Sequence, residues 1–160
     1  MDANTSEILI QSGAAMQGFR RKFGVELSNS QLCEVYVALQ FGLPFPDCRN
    51  VKGYDLRSVD GTRYQVKCRS AETLNLDLNN FEFDFVVLVN LAENYLPVGM
   101  WRLGVEKARA LAAERGKFRK FRFTQKAFKN AADAIDISDL RGSLGTAYGL
   151  KETCRDAATR

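Results

Sequence analysis

Histidine is missing from this 160-residue chain. Without an imidazole, the chain has no Ser-His or Cys-His pair to activate a nucleophile and no histidine-based metal site. The four cysteines form no C-x-x-C pair, so we predict reduced thiols in place of a structural zinc site; they are Cys33, Cys48, Cys68 and Cys154. Chemistry that uses carboxylates, amides, lysine and a hard metal ion is compatible with this composition.

Long hydrophobic runs are also missing. No apolar run approaches the roughly 18 residues that a membrane span requires. The first residues include Asp2 and Glu7, which differ from the basic start and apolar core of a signal peptide. We therefore expect a cytoplasmic protein with no membrane partner. A hydrophobic content of 46% with 26% charged residues fits one domain over residues 1–160.

The segment Gly53–Arg69 has the strict alternation of apolar and polar residues that predicts two half-buried strands. Asp60-Gly61 lies between the two strands and predicts a tight turn. The apolar positions are Tyr54, Leu56, Tyr64, Val66 and Cys68, and the polar ones are Asp55, Arg57, Arg63, Gln65, Lys67 and Arg69.

The length of the turn decides which residues face each other. A two-residue loop would place Asp55 opposite Val66, so that polar side chains would face apolar ones across the ladder. A three-residue loop with Gly61 in the left-handed conformation instead places Asp55 opposite Gln65. We predict this second register, which pairs Ser58 with Thr62, Leu56 with Tyr64 and Tyr54 with Val66.

In this register three polar groups emerge on one face of the hairpin, from Asp55, Gln65 and Lys67. A carboxylate and a neutral carbonyl oxygen are ligands that suit Mg²⁺. The lysine would then position a water molecule. The alternative is that these residues are ordinary solvated residues on the outer face of an antiparallel hairpin.

The pattern resembles the PD-(D/E)XK nuclease superfamily, which has the restriction-endonuclease-like fold. In that family an Asp that opens one strand and a Glu-x-Lys on the next hold the metal and activate water. The matching residues are Asp55 and Gln65-Val66-Lys67. Gln65 stands where the family usually has Asp or Glu, which removes one negative charge and keeps an oxygen ligand. The resemblance covers roughly residues 28–103.

The resemblance implies a fold, a metal and a partner. It implies an α/β fold with a mixed central sheet flanked by helices. The implied cofactor is Mg²⁺, for which Mn²⁺ can substitute, and the implied ligands include the backbone carbonyl of Val66 beside Asp55 and Gln65. The implied partner is nucleic acid, most often DNA, with a homodimer if both strands are cut.

The resemblance also implies a Glu on the helix before the hairpin, and Glu34 fits that position. Ser28 and Gln31 have capping-box spacing, which predicts a helix over 28–41. An apolar stripe runs along this helix, consisting of Leu32, Val35, Tyr36 and Leu39. In the family's arrangement Glu34 binds a metal-bound water or a second metal; the alternative is a solvated surface residue.

Asp47 competes with Asp55 for the metal because Pro46-Asp47 is the dipeptide that gave the superfamily its name. We rank it below Asp55, since Pro44 and Pro46 break the chain there and more plausibly stop the preceding helix.

The rest of the chain predicts further elements of an α/β sandwich. We expect a first helix over 6–23, a connection over 75–83, a central buried strand over 84–91, a turn over 94–97, a strand over 98–103, a helix over 105–115 ended by Gly116, and a flexible tail over 142–160.

Basic residues cluster between Arg115 and Lys129 without one acidic residue, and phenylalanines are interleaved with them. Such a segment can contact phosphates while its rings stack on bases or pack on the core. The alternative is that Phe118, Phe121 and Phe123 are simply core residues with cations snorkelling around them. The predicted phosphate contacts of the chain are Arg57, Arg63, Arg69, Lys117, Arg119, Lys120 and Arg122.

Together these features predict a Mg²⁺-dependent endonuclease that hydrolyses phosphodiester bonds with metal-activated water. Two alternatives stay open. One is a nucleic-acid-binding module that keeps the fold and has little or no turnover because of Gln65. The other is a protein-interaction subunit of a larger complex.

Overall fold

A five-stranded mixed sheet organises the part of the chain that the computed structural model describes, which is residues 3–24, 26–45, 53–70, 75–113 and 121–147. The strand order is β1-β2-β4-β5-β7, and β3 and β6 form a separate two-stranded sheet. Strand β2 is parallel to β4, and the other neighbours in both sheets are antiparallel. The elements are α1 Ala3–Phe23, α2 Asn29–Phe41, β1 Leu56–Arg57, β2 Arg63–Ser70, β3 Asn75–Leu78, β4 Phe85–Leu91, β5 Pro97–Gly104, α3 Val105–Ala113, β6 Phe121–Thr124, α4 Gln125–Ala131, β7 Asp133–Ile135 and α5 Ser138–Ala147.

This arrangement confirms the predicted mixed α/β architecture. Among the described helices, none has both the length and the apolar character needed to cross a membrane.

Strand β4 lies at the centre of the sheet and is buried on both faces, as its continuous apolar run predicts. Its alternate residues belong to two cores. Val87 and Val89 pack with residues of α2 and α5 on one face. Val86 and Leu88 pack on the other face with residues of α3, α4 and the β3–β6 sheet. The two cores therefore give the two faces of the sheet different neighbours.

Helix α2 begins and ends as its sequence predicts. The side chain of Ser28 accepts a hydrogen bond from the backbone N–H of Gln31 at 3.3 Å, and Gly42 ends the helix with a φ of 62°. The predicted apolar stripe is wrong in one respect: Leu39 is 47% exposed, whereas Cys33 and Val37 are completely buried. The helix contacts the sheet through the face that carries Cys33 and Val37, so Leu39 points away from it.

Two predicted boundaries need correction. Residues 75–78, predicted as part of a connection, form strand β3, which pairs with β6 far along the chain. The main sheet extends beyond the residues that the resemblance covers, because β7 adds a fifth strand and α5 packs on the sheet. Helix α5 also makes residues 142–147 helical, although the sequence assigned them to a flexible tail. Gly116 and residues 148–160 lie outside the described residues.

Candidate functional site

The turn between β1 and β2 has the predicted three-residue form. Gly61 has a φ of 94°, and its N–H donates to the carbonyl of Ser58 at 3.0 Å. The carboxylate of Asp60 accepts hydrogen bonds from the Ser58 hydroxyl and from the Thr62 N–H at 2.9 Å. These hydrogen bonds hold the pKa of Asp60 at about 2. Leu56 pairs with Tyr64 across the strands, so the predicted register is confirmed.

This register brings Asp55 and Gln65 into direct contact. The amide nitrogen of Gln65 donates a hydrogen bond to Oδ2 of Asp55. The backbone N–H of Val66 donates to the same oxygen at 2.6 Å. Both hydrogen bonds therefore use one carboxylate oxygen and leave Oδ1 of Asp55 outside them.

The orientation of the Gln65 amide differs from the one that a metal site requires. Its Nε2 faces the carboxylate, whereas a cation is bound by oxygen. The two ends of an amide exchange by a half-turn about the last side-chain torsion, and that half-turn would place Oε1 beside Asp55. The contact fits a metal site provided that the amide turns over.

Strand β1 covers β2 at only two paired positions, Leu56 with Tyr64 and Arg57 with Arg63. Among the described residues, the rest of β2 has no strand on that side, because its other neighbour in the sheet is β4. The hairpin residues Gln65 and Lys67 pair with Val86 and Leu88 of β4. The candidate site thus lies at one edge of the main sheet.

Glu34 of α2 approaches Asp55 at this edge. Burial and the nearby negative charge of Asp55 raise the pKa of Glu34 to about 7. The pKa of Asp55 is itself raised by burial, against the opposing effects of the Val66 N–H and the charge of Lys67. Two partly buried carboxylates in each other's field favour a cation close by. Glu34 is therefore a partly buried residue in the field of Asp55 and is not freely solvated.

Lys67 completes the group of predicted residues. Burial lowers the pKa of its ammonium, while the carboxylates of Asp55 and Asp77 act in the opposite direction. Glu34, Asp55, Gln65 and Lys67 are thus brought together by α2, the segment that leads into β1, and β2.

Asp77 belongs to the same electrostatic environment, and the sequence analysis missed it. It lies in β3 between Leu76 and Leu78, which are both buried, and it pairs with Arg122 of β6. The available signal was the short alternation Leu76-Asp77-Leu78. That signal is too brief to indicate a strand without its partner β6.

The three arginines predicted to contact phosphate have different surroundings. Arg63 is held by Asp84, which accepts hydrogen bonds from its backbone N–H at 2.8 Å and from its Nε at 3.2 Å. Arg69 donates to the backbone carbonyl of Cys68 at 2.7 Å. Arg57 is exposed. Of the three, Arg57 is the most accessible from solvent.

Much of the basic segment falls outside the described residues, including Lys117, Arg119, Lys120 and Phe118. Arg122 lies in β6. Phe123 and Phe128 are fully buried, so the core role considered for Phe123 is confirmed. The ammonium of Lys129 lies 3.9 Å from the centre of the Trp101 ring.

Asp47, the competing candidate for the metal site, is also outside the described residues.

Cys33 and Cys68 are free thiols, as predicted, and they contact each other between α2 and β2. The hydrogen bond between them raises the pKa of Cys33, with burial acting in the same direction, and lowers the pKa of Cys68. Cys48 and Cys154 lie outside the described residues.

The donor set at the hairpin consists of oxygen atoms. Glu34 and Asp55 supply carboxylates, Gln65 supplies an amide oxygen after the half-turn, and Val66 supplies a backbone carbonyl. Over the described ranges, no group of three or more His, Cys, Asp or Glu side chains is placed to hold a metal ion. Two carboxylates with neutral oxygens nevertheless fit Mg²⁺, which keeps several of its waters and needs few protein ligands.

Comparisons with known proteins provide no relative from which a role for these residues can be transferred: no protein-family model matches the chain, and no curated protein matches it.

Proposed function

We propose that the protein is a Mg²⁺-dependent nuclease with a restriction-endonuclease-like core that hydrolyses phosphodiester bonds, with DNA as the expected substrate. The observation that carries the proposal is the contact of Asp55 with Gln65 in the predicted register. Glu34 and Lys67 lie in the same electrostatic environment. Their convergence from separate elements supports a common chemical role.

Each residue has a defined part in this mechanism. Asp55, the Gln65 amide oxygen and the Val66 carbonyl would hold Mg²⁺, and Glu34 would accept a hydrogen bond from a water molecule or hold a second ion. When bound, Mg²⁺ supplies positive charge that polarises the phosphate and lowers the pKa of water. Lys67 orients the attacking water through its ammonium N–H groups. The basic residues of the chain contact neighbouring phosphates, and cleavage of both strands would require two copies of the site.

Cleavage of a supercoiled plasmid tests the proposal. We expect the wild-type protein to nick or linearise the plasmid with Mg²⁺ or Mn²⁺ and not with EDTA. Lys67→Ala should reduce the rate by at least about 100-fold, because the residue acts on the attacking water. Lys107→Ala changes an exposed lysine of α3 and should cleave like wild type. Equal cleavage by all three proteins would contradict the proposal.

A second candidate is a nucleic-acid-binding module without turnover. Gln65 itself favours it, because an amide in place of the family's usual carboxylate takes one negative charge away from the cation site. This candidate predicts plasmid binding without cleavage for wild type. It also predicts that Gln65→Glu, which restores the charge usual in the family, introduces metal-dependent cleavage.

A further inference from the structure

Two cysteines meet between α2 and β2, next to the residues proposed to act in cleavage. Cys33 follows Leu32 on the buried face of the helix and precedes Glu34; Cys68 follows Lys67 on the strand. Cys33 belongs to the core on the α2 side of the sheet and Cys68 packs against that core, and the side chains of the two cysteines are hydrogen-bonded to each other. Each cysteine is therefore the immediate neighbour of the other.

The two thiols differ in their access to solvent. Cys33 is completely buried, whereas Cys68 is only partly buried. Cys68 also lies in the part of β2 that β1 does not cover. A small oxidant in solution therefore reaches Cys68 first and finds Cys33 directly behind it.

We propose that Cys33 and Cys68 are a reversible dithiol that a hydroperoxide converts into a disulfide between α2 and β2. In the first step the Cys68 sulfur attacks one peroxide oxygen, and the O–O bond breaks. The products are a sulfenic acid on Cys68 and, after proton uptake, one water molecule.

In the second step the Cys33 sulfur attacks the sulfur of the sulfenic acid. The S–S bond forms, the S–O bond breaks, and the departing hydroxyl leaves as water with the proton of the Cys33 thiol. Two thiols and one hydrogen peroxide thus give one disulfide and two waters. The hydroperoxide is reduced and the two sulfur atoms are oxidised, so the reaction needs no further reactant.

The disulfide would add a covalent link between two elements that pack against each other. It would link the helix that carries Glu34 to the strand that carries Lys67, and the two cysteines are 35 residues apart in the chain. A cross-link over such a loop restricts the unfolded chain, so the oxidised protein should be more stable than the reduced one. The inference does not depend on the proposed nuclease activity.

Peptide mapping after oxidation tests the pairing directly. The reduced protein is treated with hydrogen peroxide, its remaining thiols are blocked with iodoacetamide after denaturation, and it is digested without reductant. We expect a Cys33–Cys68 linked peptide, lost on treatment with dithiothreitol, and a thermal midpoint that rises by roughly 5–10 °C on oxidation.

Cys33→Ala provides the matched control, because it removes the second thiol and leaves Cys68 in place. In this variant Cys68 should accumulate as a sulfenic acid that dimedone traps, which wild type should not show. If the variant does not fold, the mapping of wild type decides alone. The proposal is overturned if both cysteines of oxidised wild type remain alkylated, or if Cys68 advances to sulfinic acid without pairing.

Discussion

Gln65 donates its amide N–H to the same carboxylate oxygen of Asp55 that accepts the backbone N–H of Val66. The contact joins two strands whose register depends on a single three-residue turn. It also means that the residue at the position of the usual acidic ligand stabilises the carboxylate in the absence of a cation. Replacing this amide therefore tests the metal site and the stability of the hairpin together.

Gln65→Glu should destabilise the metal-free protein and strengthen metal binding. The variant loses the donor to Asp55 and places a second carboxylate beside it, so we expect a loss of about 1–3 kcal/mol in the free energy of unfolding without metal. The added charge should lower the Kd for Mn²⁺ measured by calorimetry. Gln17→Glu, at an exposed position of α1, should leave both quantities unchanged. Weaker Mn²⁺ binding by a folded Gln65→Glu would show that Gln65 is not a ligand.

Mn²⁺ soaked into crystals should bind between Asp55 and Gln65. The distances from the metal to the Asp55 carboxylate, to the turned Gln65 amide oxygen and to the Val66 carbonyl should be about 2.0–2.4 Å. Anomalous scattering identifies the ion. Full-occupancy Mn²⁺ elsewhere, with the Gln65 amide still donating to Asp55, would contradict the assigned ligand set.

Glu34→Gln should stabilise the protein at high pH and not at low pH. The pKa of Glu34 is about 7 in the folded state, above its ordinary 4.5. Below pH 4.5 the carboxyl group is neutral in both the folded and the unfolded chain. Between pH 4.5 and 7 it ionises more readily in the unfolded chain, so wild type loses stability as the pH rises through this range. At pH 8 the free energy of unfolding of the variant should therefore be higher than that of wild type by about 2 kcal/mol. One pKa unit corresponds to about 1.4 kcal/mol, and this value is reduced because solvent partly screens the charge of Glu34.

Urea denaturation at pH 4 and pH 8 measures this difference. Glu93→Gln, in the exposed turn between β4 and β5, is the matched control and should show no such pH dependence. A gain for Glu34→Gln that is the same at both pH values would argue against burial of a charged Glu34. Mg²⁺ should reduce the gain at pH 8, since a cation offsets the repulsion between the carboxylates.

Arg57→Ala and Arg63→Ala should affect different properties. Arg57 is exposed, so its loss should weaken DNA binding and leave the thermal midpoint unchanged. Arg63 is paired with Asp84, so its loss should lower the thermal midpoint slightly and change DNA affinity less. Fluorescence anisotropy and thermal denaturation of both variants measure the two effects. The reverse assignment would mean that Arg63 leaves Asp84 to contact phosphate.

Replacing Lys117, Arg119 and Lys120 together by Ala should weaken DNA binding and reduce its salt dependence. Each lost phosphate contact should lower the slope of log K against log salt concentration by about 0.9 for duplex DNA. Sequence preference should change little, because phosphate contacts do not read bases. The triple replacement of Arg20, Arg21 and Lys22 at the end of α1 is the control for a general loss of charge. Equal salt slopes for wild type and the first variant would remove this segment from the interface.

Elements whose causes are local can be predicted from the residues themselves. The three-residue turn follows from Asp60 and Gly61, since only a glycine readily adopts a φ of 94°. The start of α2 follows from Ser28, whose side chain reaches a backbone N–H three residues away. The buried strand β4 follows from its unbroken apolar run. Turn, cap and strand depend on neighbours within a few residues, which the sequence shows directly.

How these elements meet depends on contacts between segments that are far apart in the chain. Strand β3 exists because β6 pairs with it, and Arg63 meets Asp84 across 21 residues of chain. Strand β1 is only two residues long, so most of β2 lies at the edge of the sheet. Glu34 comes close to Asp55 at this edge. Such contacts require distant segments to pack together. The side chains predict a candidate site, and the packing of distant elements determines which charges act on it, including the unpredicted charge of Asp77 near Lys67.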